Sequence, residues 1–162
     1  MARLTFQRLS GATLHRYIPE LARLRMRVFR GFPYLYDGDP EYEARYLQTY
    51  VEAPHSVIVL AFDGDRVVGA SSGLPLIHET EEVQQPFREA DYAVETIFYC
   101  GESVLLPDYR GQGAGVAFFE HREDHARETG GMKHSCFCAV ERPVTHPARP
   151  AGYQPLDEFW PV

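Results

Sequence analysis

Short runs rich in hydrophobic residues recur along the chain, the first of them with hydrophobic and polar residues in alternation, and they predict β-strands. The runs cover residues 3–9, 56–62, 66–76, 95–106 and 134–140. Asp63-Gly64-Asp65 separates the second run from the third, and such a turn between two strand patterns is typical of a β-hairpin. The pattern therefore predicts a sheet that contains at least one hairpin.

Apolar residues with a helical period follow the first predicted strand. Leu21, Leu24 and Val28 share one face of a helix that we expect to end near Phe29. Most arginines of this segment fall on the opposite face, where solvent would surround them. Arg25 instead falls beside the apolar face, so we expect it to find a buried partner or to line a cleft.

Further helices are predicted between the later strands. Pro40 suits the first position of a second helix, and residues 78–92 should contain a short one. A third pattern covers residues 111–129 and is stopped by Gly130-Gly131. This order of elements implies a single α/β domain in which helices pack on a mixed sheet.

The composition narrows the class of protein. The chain has 162 residues, 44% hydrophobic and 24% charged, as in a globular domain with a substantial core. Its net charge of −7 argues against general nucleic-acid binding, which requires a basic surface. No run approaches the ~20 apolar residues that span a membrane, and the N-terminus lacks a signal-peptide pattern, so we expect a cytoplasmic protein without a membrane partner. We expect the cysteines to be free and buried; they are Cys100, Cys136 and Cys138.

The stretch Arg110-Gly111-Gln112-Gly113-Ala114-Gly115 lies between a predicted strand and a predicted helix. Its glycines allow successive backbone N–H groups to turn inward at a helix start, where a pyrophosphate is favoured. A dinucleotide fingerprint fails because Val116 stands where the third glycine is needed, and a Gly-Lys-Ser/Thr loop is absent. Gly69–Gly73 matches G-x-S-x-G, but the run continues as a strand and does not enter a helix, which argues against a hydrolase nucleophile.

Histidine and cysteine spacing raises a metal site as another alternative. His121 and His125 are one helical turn apart, and His134, Cys136 and Cys138 alternate along a predicted strand. The helix lacks the glutamate placement of H-E-x-x-H, and alternating cysteines also suit a core. We therefore expect no metal.

The glycine stretch, placed after "SVLLPDY" and before "VAFF", resembles the acetyl-CoA-binding motif of the GCN5-related N-acetyltransferases, the GNAT family. The resemblance covers roughly residues 3–140. It implies a mixed, mostly antiparallel, twisted sheet with a splayed central pair of strands and flanking helices. Three segments, "FRGFPYLYDGDPEYEARYLQTY", "GESVLLPDYRGQG" and "FCAVERPVTHPARPAGYQPLDEFW", are similar to a bacterial subgroup of the family.

The resemblance implies acetyl-CoA as the cosubstrate and assigns residues to it. The backbone of Ser103, Val104 and Leu105 would pair with the pantetheine arm like an added strand. The pyrophosphate would lie on Arg110, Gly111, Gln112, Gly113, Ala114 and Gly115. The strand before the motif would splay from residues 136–140, and the N–H near Leu105 would polarise the thioester carbonyl.

The resemblance also implies direct acetyl transfer to a primary amine of a small molecule or peptide. An amine with a pKa near ~10 must lose a proton before it attacks, and a carboxylate can accept that proton. Glu102 is the first candidate for this base and Glu95 the second, although a glutamate in a strand could equally be a paired surface charge. Tyr153 is the candidate that would protonate the leaving thiolate. An acetyl-enzyme on Cys138 is the less favoured route.

Two features depart from the family pattern. The family commonly has an asparagine after the last strand named above, but this chain contains none and has Arg142-Pro143 there. The sequence after Trp160 also lacks two strands that relatives usually have. We therefore expect residues 1–162 to form one N-acetyltransferase domain without the usual C-terminal strands, which a second copy could complete in a homodimer. The alternative function is a degenerate domain that binds acetyl-CoA as a sensor or interaction module without turnover.

Overall fold

The computed structural model describes residues 3–154, which form one five-stranded sheet with helices on both faces. The strands are β1 (Thr5–Leu9), β2 (Val57–Asp63), β3 (Arg66–Pro75), β4 (Ile97–Leu105) and β5 (His134–Cys136). The helices are α1 (Ile18–Phe29), α2 (Pro40–Glu52), α3 (Glu81–Glu89) and α4 (Ala114–Thr129). The strands lie side by side in chain order; β1 to β4 pair antiparallel, and β5 pairs parallel to β4. The predicted mixed, mostly antiparallel sheet is therefore confirmed.

Several predicted element bounds need correction. The first helix begins as a 3-10 turn over Gly11–Tyr17, and the α-helix starts only where Pro19 occupies its first turn. The last predicted strand was too long: β5 ends at Cys136 and not at residue 140, because the chain beyond Cys136 no longer pairs with β4. No helix within residues 3–154 is long and apolar enough to cross a membrane.

The sheet separates α1 and α2 from α4. On one face, Leu21 of α1 and Leu47 of α2 lie against Ile58 of β2. On the other face, Phe6 of β1 packs edge-on against Phe118 of α4, with ring centroids 5.7 Å apart. The core therefore has two layers, one on each side of the sheet.

A β-bulge in β4 changes which face its side chains occupy. Ser72 of β3 pairs with Glu102, but its neighbour Gly73 pairs with Cys100, so Gly101 is the extra residue. Before the bulge, Phe98 contacts His125 of α4. After the bulge, Ser103 contacts α4 through Arg122. Ser103 is five positions after Phe98, an odd number, so the side-chain alternation of β4 has shifted by one residue. Glu102 consequently faces α1.

Only glycine fits at the bulge. A Cβ atom on Gly101 would lie 2.5 Å from the Tyr50 hydroxyl oxygen and 2.9 Å from Ser72 Oγ. Tyr50 is 1% exposed and cannot move outward without disturbing the core between α2 and the sheet. The close approach of α2 to β4 thus depends on the missing side chain.

We predict that Gly101→Ala lowers the free energy of unfolding by about 1–3 kcal/mol, since an added methyl group overpacks this contact. Urea denaturation of the two proteins measures the difference. Gly31→Ala is the matched control, because a Cβ there would meet its nearest atom, the Val28 carbonyl oxygen, at an ordinary 3.5 Å. Equal unfolding midpoints for Gly101→Ala and Gly31→Ala would contradict this account of the bulge.

Candidate functional site

One edge of β4 is paired over only part of its length. β5 aligns with β4 at Ile97, Phe98 and Tyr99, and the last pair joins Tyr99 to Cys136. From residue 100 to residue 105, no strand in the described part of the chain pairs with this edge. The two strands thus form a fork that opens beyond Tyr99.

The backbone groups at this open edge can be assigned from the pairing on the other side. The Leu106 N–H donates to the Val68 carbonyl at 3.0 Å, so Leu106 points toward β3. The backbone N–H and carbonyl groups of successive strand residues point in opposite directions within the sheet. Those of Val104 therefore also point toward β3, whereas those of Ser103 and Leu105 point toward the open edge. An extended molecule could therefore bond to Ser103 and Leu105 as an added strand.

A glycine-rich loop joins the open end of β4 to α4. Gly111 and Gly113 have φ angles of +75° and +87°, a backbone conformation that strongly favours glycine. Gly113 is the N-cap of α4, and no side chain caps the helix there. The first N–H groups of an α-helix have no partner within the helix, and here no acidic residue occupies the first turn. The loop thus presents free amides and the positive end of a helix, a setting that favours an anion.

Side chains of the loop fix its position. The Tyr109 hydroxyl donates to Asp63 Oδ2 at 2.6 Å, which ties the loop to the β2–β3 hairpin. This hydrogen bond to a carboxylate raises the pKa of Tyr109. Arg110 folds back, and its Nε donates to the Leu105 carbonyl oxygen at 3.2 Å, directly at the open edge. Arg110 therefore lies where the loop meets the fork.

A buried ionic cluster lies beside the fork, on the α1 face of the sheet. The Arg25 guanidinium contacts Glu43 of α2 through Nε and Glu102 of β4 through Nη1. It also lies over the Tyr46 ring, 4.0 Å from the centroid. Arg25 is 6% exposed and Glu43 is fully buried. The expectation of a buried partner for Arg25 is confirmed, and the partners are two carboxylates.

The backbone of Glu102 is held as firmly as its side chain. Its N–H donates to Ser72 Oγ at 3.1 Å, and its carbonyl oxygen accepts from Arg122 Nη1 at 3.1 Å. From the sequence, Arg122 was given no role of its own. A signal was present, because Arg122 falls in the buried i, i+4 stripe of α4 with Phe118 and Ala126.

The other two candidates for proton transfer are not part of this ionic cluster. Glu95 is exposed in a 3-10 turn before β4. It is seven residues from Glu102, roughly 23 Å along an extended strand. Tyr153 packs edge-on against Phe32, with ring centroids 4.7 Å apart. Burial raises the pKa of Tyr34, Tyr153 raises it further, and Arg110 lowers it, so Tyr34 lies electrostatically near both side chains.

The remaining sequence alternatives can now be placed. Gly69–Gly73 lies within β3, so this segment lacks the strand-to-helix turn of a nucleophile elbow, and its Ser71 is only 2% exposed.

All three cysteines are free. Cys100 is buried as expected, but Cys138 is exposed because β5 ends before it. Burial raises the pKa of Cys136 to about 12, with smaller contributions from the other two cysteines. Within residues 3–154, no three histidine, cysteine or acidic side chains are grouped as metal ligands.

The chain matches the acetyltransferase (GNAT) family over residues 18–151. A search of curated proteins found no match. The fold is similar to that of aminoglycoside N-acetyltransferase AAC(6')-Iy in complex with CoA, with a TM-score of 0.62 and 10% identity over 86% of this chain and 79% of that one. The fold is also similar to that of the aminoglycoside acetyltransferase meta-AAC0020 from an uncultured soil metagenomic sample, in complex with sisomicin. The TM-score is 0.58, with 20% identity over 85% of this chain and 78% of that one. For ribosomal-protein-alanine N-acetyltransferase from Brucella melitensis biovar Abortus 2308, the TM-score is 0.58, with 16% identity over 87% of this chain and 84% of that one.

Two strands diverge here and leave an edge unpaired, next to a glycine-rich loop at the start of a helix. This combination is typical of a domain that binds a cosubstrate. The family match over most of the chain makes the assignment specific: the chain belongs to the acetyltransferase (GNAT) family. It is an acyltransferase, and acetyl-CoA is its cosubstrate.

We predict that Glu43→Gln lowers the free energy of unfolding by about 3 kcal/mol, because removing one partner of a buried ion pair leaves charge uncompensated. Glu41→Gln on the same helix is the control. Glu41 is exposed, and its loss should cost less than about 1 kcal/mol through the helix dipole. Thermal and urea unfolding of both variants test this, and a Glu43→Gln protein as stable as Glu41→Gln would show that the cluster contributes little.

Proposed function

We propose that this chain transfers the acetyl group of acetyl-CoA directly to a primary amine of a small molecule or peptide. The observation that carries the proposal is the continuity of two features: the unpaired edge at Ser103 and Leu105 leads directly into the loop Arg110–Gly115. An extended arm and an anionic group in one molecule would match that arrangement. Acetyl-CoA has both, and it supplies an acetyl group activated as a thioester.

The residues at the site fit this cosubstrate. Ser103 and Leu105 would pair with the pantetheine arm, and Val104, whose backbone points toward β3, would hold the strand in place between them. The loop Arg110–Gly115, which comprises Arg110, Gly111, Gln112, Gly113, Ala114 and Gly115, would bind the pyrophosphate through backbone amides and the Arg110 guanidinium. The Leu105 N–H would polarise the thioester carbonyl.

Glu102 is the proposed general base. The bulge directs its carboxylate to the α1 face next to the fork, where its side chain is 25% exposed. One carboxylate oxygen contacts Arg25, and the other is the proposed proton acceptor. A cavity of about 20 Å³ adjoins Glu102, Tyr46 and Ser72 and is large enough for one water molecule.

Tyr153 is the proposed acid for the leaving thiolate. Its position against Phe32 brings it near Tyr34, which is electrostatically near Arg110. Because Tyr153 and Arg110 both shift the pKa of Tyr34, their charges act on the same side chain, which supports this proposed role.

The acceptor is proposed as an amine because the names of the similar structures describe N-acetyltransferases or aminoglycoside acetyltransferases. Two are aminoglycoside acetyltransferases, and one is a ribosomal-protein-alanine N-acetyltransferase. A small molecule and a peptide are therefore both retained as acceptor classes. The domain itself is proposed to extend over residues 1–162, of which residues 1–2 and 155–162 lie outside the described part of the chain.

One observation favours the second function, a domain that binds acetyl-CoA without turnover. The Glu102 carboxylate is already engaged by Arg25, as in a purely structural ion pair. Under this second function, acetyl-CoA would bind but no amine would be acetylated. Acetyl transfer to a panel of amines separates the two functions.

We predict that Gly113→Val weakens CoA binding by at least about 100-fold, because a β-branched residue cannot adopt the left-handed backbone that opens α4 to an anion. Isothermal titration calorimetry with CoA provides the measurement. Gly131→Val is the matched control: Gly131 also has a positive φ, +76°, but follows the other end of α4. Similar CoA affinities for the two variants would overturn the assignment of the loop.

We predict that Glu102→Gln lowers kcat by about 100-fold while the Kd for CoA changes little, because general base catalysis typically contributes 10²–10⁴. Release of free CoA thiol from acetyl-CoA in the presence of an amine panel measures kcat. Glu52→Gln, at an exposed position of α2, serves as the control. An unchanged kcat for Glu102→Gln would remove Glu102 from the mechanism and return it to a structural ion pair.

A further inference from the structure

Arg122 of α4 is a buried cation that no step of the proposed reaction uses. It is 1% exposed, less than Arg25 at 6%. Within residues 3–154, no ion pair joins Arg122 to a carboxylate. Burial without such a partner lowers its pKa. The fold therefore retains a charge where the neighbouring residues of the same stripe are apolar.

Among residues 3–154, the guanidinium donates hydrogen bonds only to uncharged oxygens, and three of the four acceptors lie at or next to the bulge. Nη1 donates to the carbonyl oxygens of Ser72 at 3.2 Å and Glu102 at 3.1 Å, and Nη2 donates to Ser103 Oγ at 3.0 Å. Nε donates to the Phe118 carbonyl within α4 at 3.3 Å. Ser72 and Glu102 are directly opposite each other at the register shift. Arg122 thus bridges both strands at the point where their alternation changes.

Stability alone gives a poor reason for this arrangement. Burying a charge costs free energy, and the stripe of α4 already contains the apolar side chains of Phe118 and Ala126. What an apolar residue could not do is donate hydrogen bonds to the carbonyl groups of Ser72 and Glu102 at the bulge. The guanidinium, with several donors in a planar fork, can bond two strands at once.

The bulge has two consequences for the site. It directs the Glu102 side chain toward α1, and it determines which backbone groups face the open edge. We propose that Arg122 is a positioning residue for acetyl transfer: by holding the bulge, it keeps Glu102 and the N–H groups of Ser103 and Leu105 in their places. The role in transfer rests on the proposed function, whereas the effect on the bulge does not.

The test compares Arg122→Met with Phe118→Leu, which removes core packing from the same helix without touching the bulge. Both are measured at a temperature where circular dichroism shows them folded. Hydrogen exchange of the β4 peptide should accelerate at least about tenfold more in Arg122→Met, since its carbonyl contacts are lost. The kcat of Arg122→Met should fall about 100-fold, because a small misplacement of reacting groups can slow a reaction by that factor. Its KM for acetyl-CoA should rise by a smaller factor.

Arg122→Lys keeps the charge but reaches fewer acceptors, so it should restore part of both effects, and it replaces Arg122→Met if that variant does not fold. Exchange of β4 that is no faster than in Phe118→Leu would overturn the proposal, and so would a kcat equal to that of Phe118→Leu. If the wild-type protein acetylates no amine, the proposed function fails. The exchange comparison then still decides whether Arg122 holds the bulge.

Discussion

The β-bulge at Gly101 is the constraint on which the geometry of this molecule depends. A regular strand would place Glu102 on the same face as Phe98, against α4. The extra residue shifts the alternation, so the carboxylate reaches Arg25 on the other face and Ser103 meets Arg122. Every candidate group on β4 therefore owes its direction to one inserted glycine.

Two buried arginines fix this bulge from opposite sides of the sheet, and they do so by different physics. Arg25 is compensated by the carboxylates of Glu43 and Glu102, so it joins α1, α2 and β4 electrostatically. Arg122 bonds to carbonyl and hydroxyl oxygens and joins α4 to β3 and β4. The cost of burying both charges is offset only if all these partners remain in place. Such mutual dependence gives the site a single arrangement.

The open edge of β4 would ordinarily be a liability, because unpaired backbone groups invite association with other chains. Here the edge is short, it begins only beyond Tyr99, and Arg110 covers the Leu105 carbonyl. Under the proposed function such an edge has a use, since an extended cosubstrate would complete the sheet. The same unpaired groups that make the strand vulnerable would then form the binding surface.

The sequence by itself determined the order of strands and helices, the hairpin at Asp63-Gly64-Asp65, and the loop Arg110–Gly115. These features follow from local periodicity and from glycine's backbone freedom, which adjacent residues express. Tertiary structure decided the bulge at Gly101, the early end of β5 at Cys136, and the hydrogen-bond partners of Arg122 on β3 and β4. Each of these depends on contacts between residues distant in the chain, such as Tyr50 with Gly101, and no local pattern encodes such contacts.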